Sequence, residues 1–154
     1  MTCNRSNRAD LALLLTRIGV GTIFVAHALM HLQRGIGSLA NLLGTGLGFP
    51  APNLFAWLTV FVELFGGIAL VLGIATPVAA GLLSVIALVT ILTVKAKLGL
   101  VAKSGTGAEL EIALLVGTLS AALQGGGWYS LDRKLRWFGA ADECCMKDEP
   151  EQAS

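Results

Sequence analysis

Seven ionisable side chains occur within or beside stretches of sequence that are otherwise apolar. A charged group in the hydrocarbon core of a membrane costs a few kcal/mol or more, so such groups usually face the interior of a helix bundle or a water-filled cavity. Together, His and Glu side chains supply hydrogen-bond donors, acceptors and a route for protons. The seven candidates are Arg17, His27, His31, Glu63, Lys95, Glu109 and Glu111.

The spacing of these residues predicts which of them share a helix face. His27 and His31 are four residues apart and lie on one face. At 100° per residue, Arg17 falls within about 80° of both. Glu109 and Glu111 point about 160° apart, so at most one of them can face the centre of a bundle.

The seven residues can be compared with the binding requirements of three kinds of cofactor: haem, a metal ion and a quinone. Two histidines on one turn of one helix cannot bind opposite faces of a haem within a monomer, so haem is not expected. A metal site of His27, His31 and Glu63 is chemically reasonable. A quinone head group needs a donor, an acceptor and a proton relay near a membrane interface, which His and Glu would provide.

The same residues also have purely structural interpretations. Arg17 and Glu63 could form an ion pair or a hydrogen-bond network that holds two helices together. Lys95 could extend its ammonium group to the membrane interface. Glu109 at a helix start is favoured by the helix dipole alone.

The composition requires a membrane environment. Of the 154 residues, 55% are hydrophobic and 14% are charged, and the mean hydropathy is +0.74. A soluble domain carries roughly 25% charged residues, so this chain has too little polar surface for water. Its net charge of +1 argues against a nucleic-acid partner, which would require a basic face.

Four apolar runs are long enough for transmembrane helices, and no run alternates as a barrel strand would. They predict an all-α integral membrane four-helix bundle, and the 19 glycines would let its helices approach closely. Residues 35–53 are predicted as a Gly/Pro-rich loop, and Gly73 and Pro77 as a tight turn. The predicted domains are a polar tail at 1–10, a transmembrane domain at 11–127 with helices at about 11–32, 54–74, 78–97 and 108–124, and a polar tail at 128–154.

The distribution of Lys and Arg predicts that both termini are cytoplasmic, because the terminal flanks carry slightly more of them. Arg17 then lies in the inner-to-middle part of the first helix. The other candidates collect in the outer half, centred on His27, Glu63 and Glu109. Arg17 interrupts the first apolar run, so this run is not expected to be a cleaved signal peptide.

Three cysteines lie outside the apolar runs: Cys3, Cys144 and Cys145. Adjacent cysteines form a disulfide only with strain, and no C-x-x-C occurs, so neither a disulfide scaffold nor a zinc site is expected. The simplest interpretation of Cys144 and Cys145 is a pair of reduced thiols, with a redox or metal-transfer role as the alternative.

In order along the chain, several motifs resemble those of the DoxX family of small bacterial membrane proteins. The first helix reads LLLTRIGVGTIFVAHALMHLQ and the second FVELFGGIALVLGIAT. LTVK, GAELEIALL and GWYSLDR follow in the family's order. The sequence departs from the pattern in having His27-Ala28 where His-Gly is common, and Pro77 where an arginine is usual.

The resemblance implies a four-helix protein of the bacterial inner membrane. It further implies a subunit or accessory of a quinone-linked oxidoreductase system, with no catalytic activity alone and with a soluble or membrane redox partner. A non-enzymatic anchor or assembly protein and a transporter of small solutes or metal ions are the alternatives. A homo-oligomer fits each of the three hypotheses.

Overall fold

The computed structural model of the chain describes residues 7–95 and 108–132. The side chains of residues 7, 46, 94 and 95 are also outside the description. Cys3, Cys144 and Cys145 lie outside the described residues, as does most of the predicted polar tail at 128–154.

The described chain is built from helices, and no strand occurs within the two described ranges. An all-α protein is therefore confirmed. The elements are α1 (Asn7–Arg34), α2 (Ile36–Asn41) with a π-helical continuation (Leu42–Gly46), α3 (Pro52–Leu72), α4 (Thr76–Thr90) with a second π-helical continuation (Ile91–Lys95), and α5 (Glu109–Gln124).

The segment between the first two long helices differs from its prediction as a loop. Gly35 adopts a φ of 86° and ends α1, after which α2 and its π-helical turn begin. This segment packs back against α3, and a Cβ at Gly44 would lie 3.0 Å from the Pro52 ring. A six-residue helix is too short to be stable alone, so its stability depends on α3, which local sequence does not reveal.

The predicted tight turn between the second and third apolar runs is confirmed. Gly73 ends α3 in the left-handed conformation, with a φ of 72°, and its N–H donates to the Ala69 carbonyl. Ala75 also has a positive φ, of 45°, and proline occupies the first turn of α4. Glycine at the helix end and proline at the next helix start are the residues that such a turn favours.

Three helical segments are long and apolar enough to cross a membrane: Arg8–Arg34, Pro52–Leu72 and Thr76–Thr93. Their outward faces carry large apolar side chains, among them Leu15, Phe65 and Val85, which are 59–61% exposed. In water such a surface would be costly, whereas lipid solvates it. The fourth long helix, α5, has 16 residues.

The four long helices form a closed series of contacts, in which α1 and α4 each pack against both α3 and α5. Helices α1 and α3 cross closely at two facing glycines. A Cβ on Gly67 would lie 2.8 Å from the carbonyl oxygen of Gly21, and a Cβ on Gly21 would lie 2.7 Å from the carbonyl oxygen of Gly67. Only glycine at both positions allows this crossing. Helices α4 and α5 are joined by a buried hydrogen bond of 2.8 Å, from the Ser84 hydroxyl to the Thr118 hydroxyl.

Contacts at the two ends of α1 show that it runs antiparallel to α3. Arg17 reaches Leu70, near the end of α3, whereas His31 reaches Glu63, near its middle. Gly117 of α5 lies against Val20, and Gly127, just after α5, lies against Leu13, so α5 is also antiparallel to α1. We call the end where α3 finishes the arginine end and the opposite end the histidine end.

Candidate functional site

The guanidinium of Arg17 is buried at the arginine end, where it donates to three backbone carbonyls. Nε lies 3.1 Å from the Leu70 oxygen and Nη2 3.4 Å from the Val71 oxygen, and Nη1 donates to the Gly126 oxygen. The carbonyls of Leu70 and Val71 belong to the last turn of α3, where no further helical N–H can satisfy them. Arg17, only 1% exposed, therefore neutralises the negative end of the α3 dipole.

Asp132 provides the opposite charge in the same place. Its carboxylate accepts from the backbone N–H groups of Ala75 and Thr76, the latter at 2.8 Å, and it interacts electrostatically with Arg17. Its own N–H donates to the Gly73 carbonyl at 2.8 Å. A carboxylate at the start of α4 satisfies free N–H groups and complements the positive end of that helix. The α3 end, Arg17, Asp132 and the α4 start thus alternate in charge.

The segment after α5, Gly125–Asp132, which we call the strap, brings Asp132 to this place. The carboxylate of Asp10, in α1, accepts from the Trp128 N–H at 3.4 Å. The Ser130 hydroxyl donates to the Gly127 carbonyl at 2.9 Å. A side chain at Gly126 would overlap Ser130, so the strap folds tightly against the arginine end.

At the histidine end, a carboxylate and an imidazole face each other. His31 Nε2 lies 4.0 Å from Glu63 Oε2, and the Glu63 side chain is 7% exposed against 26% for His31. Within the described ranges, Glu63 Oε2 is buried without a hydrogen-bond partner. A buried polar atom in that condition is costly, and a bound ligand, an ordered water or a functional role would account for it.

Glu111, and not Glu109, turns into the bundle. Glu111 is 9% exposed, whereas Glu109 is exposed. This corrects the expectation that Glu109 belongs to the centre of the polar group. The two were expected to point in opposite directions, and they do; helical periodicity alone could not decide which one faces inward.

His27, Glu63 and Glu111 lie at a similar depth on three helices. His27 is half-buried and lies seven residues beyond Val20, which contacts Gly117; Glu111 precedes Gly117 by six residues. A rise of 1.5 Å per residue places His27 and Glu111 within about 2 Å of the same level. Glu63, four residues from the Gly67 crossing, falls within about 3 Å of His27 in depth by the same count.

The structure therefore separates the seven candidates. His27, His31, Glu63 and Glu111 occupy the histidine end, with exposed Glu109 at the start of α5. Arg17 is ten residues, or about 15 Å along α1, from His27, and its bonds go to the end of α3 rather than to Glu63. Lys95 ends the second π-helical segment, and its side chain is outside the described residues.

In the part of the chain that the structure describes, no group of three or more His, Cys, Asp or Glu side chains is arranged to hold a metal ion. Three further polar residues of the arginine end, Asp10, Ser130 and Asp132, are at most 7% exposed and were not among the residues predicted from the sequence. For Ser130 and Asp132 the available signal was the preceding glycine run at 125–127, which predicts a close approach of backbone to its neighbours.

Comparison with known proteins assigns the chain to a family. Residues 12–96, more than half of the chain, match the model of the DoxX family. The chain belongs to the DoxX family, and with its three apolar helices it is a multi-pass membrane protein.

One curated relative is similar over most of both lengths. The chain is 29% identical over 123 residues to a Bacillus subtilis (strain 168) protein named "Putative oxidoreductase CatD". The aligned region covers 80% of this chain and 86% of the relative. No solved structure matches the chain.

Proposed function

We propose that this protein is the membrane subunit or accessory of a quinone-linked oxidoreductase system, and that the histidine end binds the quinol head group. The name of the Bacillus subtilis relative describes an oxidoreductase, which supports a redox role. The electrons would pass to a soluble or membrane partner that carries the redox centre.

The proposed setting is the bacterial inner membrane, with α1, α3, α4 and α5 crossing as a four-helix bundle. Both termini would be cytoplasmic, which places the histidine end at the outer face. Helix α5, at 16 residues, would span about 24 Å. This length falls short of a hydrocarbon core of about 30 Å, and local thinning of the bilayer would accommodate it.

The observation that carries the proposal is the buried Glu63 Oε2 atom, which has no hydrogen-bond partner among the described residues. A carboxylate oxygen can accept a hydrogen bond from a quinol hydroxyl, and His31, 4.0 Å away, can take the proton onward. His31 is the more exposed of the two, so it would pass that proton to water at the histidine end.

The test is a titration of the purified protein in lipid nanodiscs with a short-tailed ubiquinol analogue. We expect saturable binding to the wild type and at least about tenfold weaker binding to Glu63→Gln, equivalent to about 1.4 kcal/mol. Glu109→Gln makes the same chemical change at an exposed position and should bind as the wild type does. Equal binding by the wild type and Glu63→Gln, or none by either, would reject the proposal.

A membrane anchor or assembly protein is the second candidate, and the arginine end favours it. There Arg17 and Asp132 are used in bonds that join helix ends, which is what a scaffold requires. If the whole protein were a scaffold, the wild type would not bind quinol, and Glu63→Gln would lower the melting temperature. A normal melting temperature combined with lost quinol binding would exclude this role.

A further inference from the structure

We propose that the polar site at the histidine end exchanges protons and ligands only with the aqueous phase at that end, because the bundle is closed toward the arginine end. The inference rests on the proposed transmembrane bundle, but it holds whether or not the ligand is a quinol. It implies that any proton released or taken up at Glu63 moves through the histidine end.

Among the described residues, the site becomes more accessible toward the histidine end. His31 lies in the last turn of α1 and its side chain is 26% exposed, whereas Glu63 behind it is 7% exposed. Accessibility therefore decreases from His31 to Glu63, as expected for a site approached from that end.

A layer of apolar side chains lies immediately below the site. Phe24 is three residues from His27, and Leu114 is three residues from Glu111, both toward the arginine end. They are each 2% exposed. On α3, Gly66 is three residues from Glu63 in the same direction, and a Cβ there would lie 3.2 Å from Leu83, which is fully buried.

On each helix this apolar position thus lies about 4.5 Å below the polar group of that helix, and the three positions fall within about 3 Å of one depth. The side chains of Phe24, Leu83 and Leu114 also belong to one continuous core cluster. An apolar layer without polar partners excludes water and therefore interrupts proton transfer.

A buried positive charge forms a second barrier. Arg17 lies seven residues below Phe24, or about 10.5 Å along α1, and is 1% exposed. Its N–H groups are used on backbone carbonyls and its charge is paired with Asp132; because a guanidinium does not release its proton, this position cannot relay protons. Below it the strap closes the bundle, because neither Gly73 nor Gly126 has room for a side chain.

It follows that a quinol oxidised at this site would release its protons to one side of the membrane. In the proposed orientation that is the outer side. Within the described residues this closure leaves the site no exit toward the arginine end, so the contribution of the monomer would be one-sided proton release rather than transport.

The wild-type chain allows a direct test, because its only two histidines, His27 and His31, are both at this end. The chain is labelled with ¹⁵N-histidine and reconstituted in sealed vesicles of one orientation, and the internal and external pH are varied separately. The imidazole NMR signals should follow the pH at the histidine end and ignore the other. Signals that follow both phases, or only the arginine-end phase, would overturn the inference.

Labelling by a membrane-impermeant maleimide tests access without relying on titration. In a chain whose three native cysteines are replaced by serine, His31→Cys should react only from the histidine end. Tyr129→Cys, at an exposed position of the strap, should react only from the other side. Reaction of His31→Cys from the Tyr129 side contradicts the closed bundle, whatever the outcome of the quinol titration.

Discussion

The two ends of this bundle bury charged groups in opposite ways. At the arginine end, Arg17 and Asp132 each form hydrogen bonds with several backbone groups. The buried polar atom without a hydrogen-bond partner at this end, among the described residues, is the uncharged hydroxyl oxygen of Thr76. At the histidine end, Glu63 is buried with an unsatisfied oxygen and an imidazole 4.0 Å away. Saturated polar groups stabilise a fold, whereas unsatisfied ones reduce stability and persist where function requires them.

The largest expected loss of stability comes from removing the buried positive charge at the arginine end. Arg17→Met should lower the free energy of unfolding by about 3–5 kcal/mol, because it leaves buried carbonyls and the Asp132 charge uncompensated. Unfolding in mixed micelles with increasing denaturing detergent measures this. A loss below about 1 kcal/mol would mean that the network is not what holds this end together.

Asp132→Asn should have the next largest effect, about 1–3 kcal/mol, because the charge-assisted bonds to the start of α4 are weakened. Asn keeps the size of the side chain and one acceptor. In a double-mutant cycle with Arg17→Met, the two losses should not add, with a coupling of about 0.5–3 kcal/mol. Additive losses would show that Asp132 acts only as a helix cap.

The crossing between the two ends gives a matched pair of glycine substitutions in α1 and α3. Gly67→Ala should destabilise by about 1–3 kcal/mol, because its Cβ would overlap Gly21 and Val25 and force the helices apart. Gly19 has no atom within 4 Å of the added Cβ, so Gly19→Ala should be neutral or stabilise by up to about 1 kcal/mol. Equal effects would refute the close crossing.

The smallest effect on stability is expected at the histidine end. Glu63→Gln replaces a buried carboxyl group by an amide of the same shape, so the unfolding free energy should change by less than about 1 kcal/mol and in either direction. The same unfolding assay measures it beside Arg17→Met. A loss as large as that of Arg17→Met would abolish the distinction between the two ends.

The sequence was sufficient wherever the relevant physics is local. Long apolar runs predicted an all-helical chain, which is confirmed, and Gly73 with Pro77 located the turn, because solvation and backbone preference act within a few residues. The short helix α2 was missed because its stability comes from packing on α3. The choice between Glu109 and Glu111 depended on how α5 rotates against its neighbours, which its own periodicity leaves ambiguous.

By itself, the sequence determined that this is a helical membrane protein with ionisable His, Glu and Arg side chains in its apolar runs, and it showed the resemblance to the DoxX family. Only the tertiary structure separated those side chains into two groups. The partners of Arg17 lie 53 and 109 residues away and are mainly backbone carbonyls, which every residue possesses and no motif marks. The cost of a buried charge requires that it find partners, but chain topology decides which carbonyls and which carboxylate those partners are.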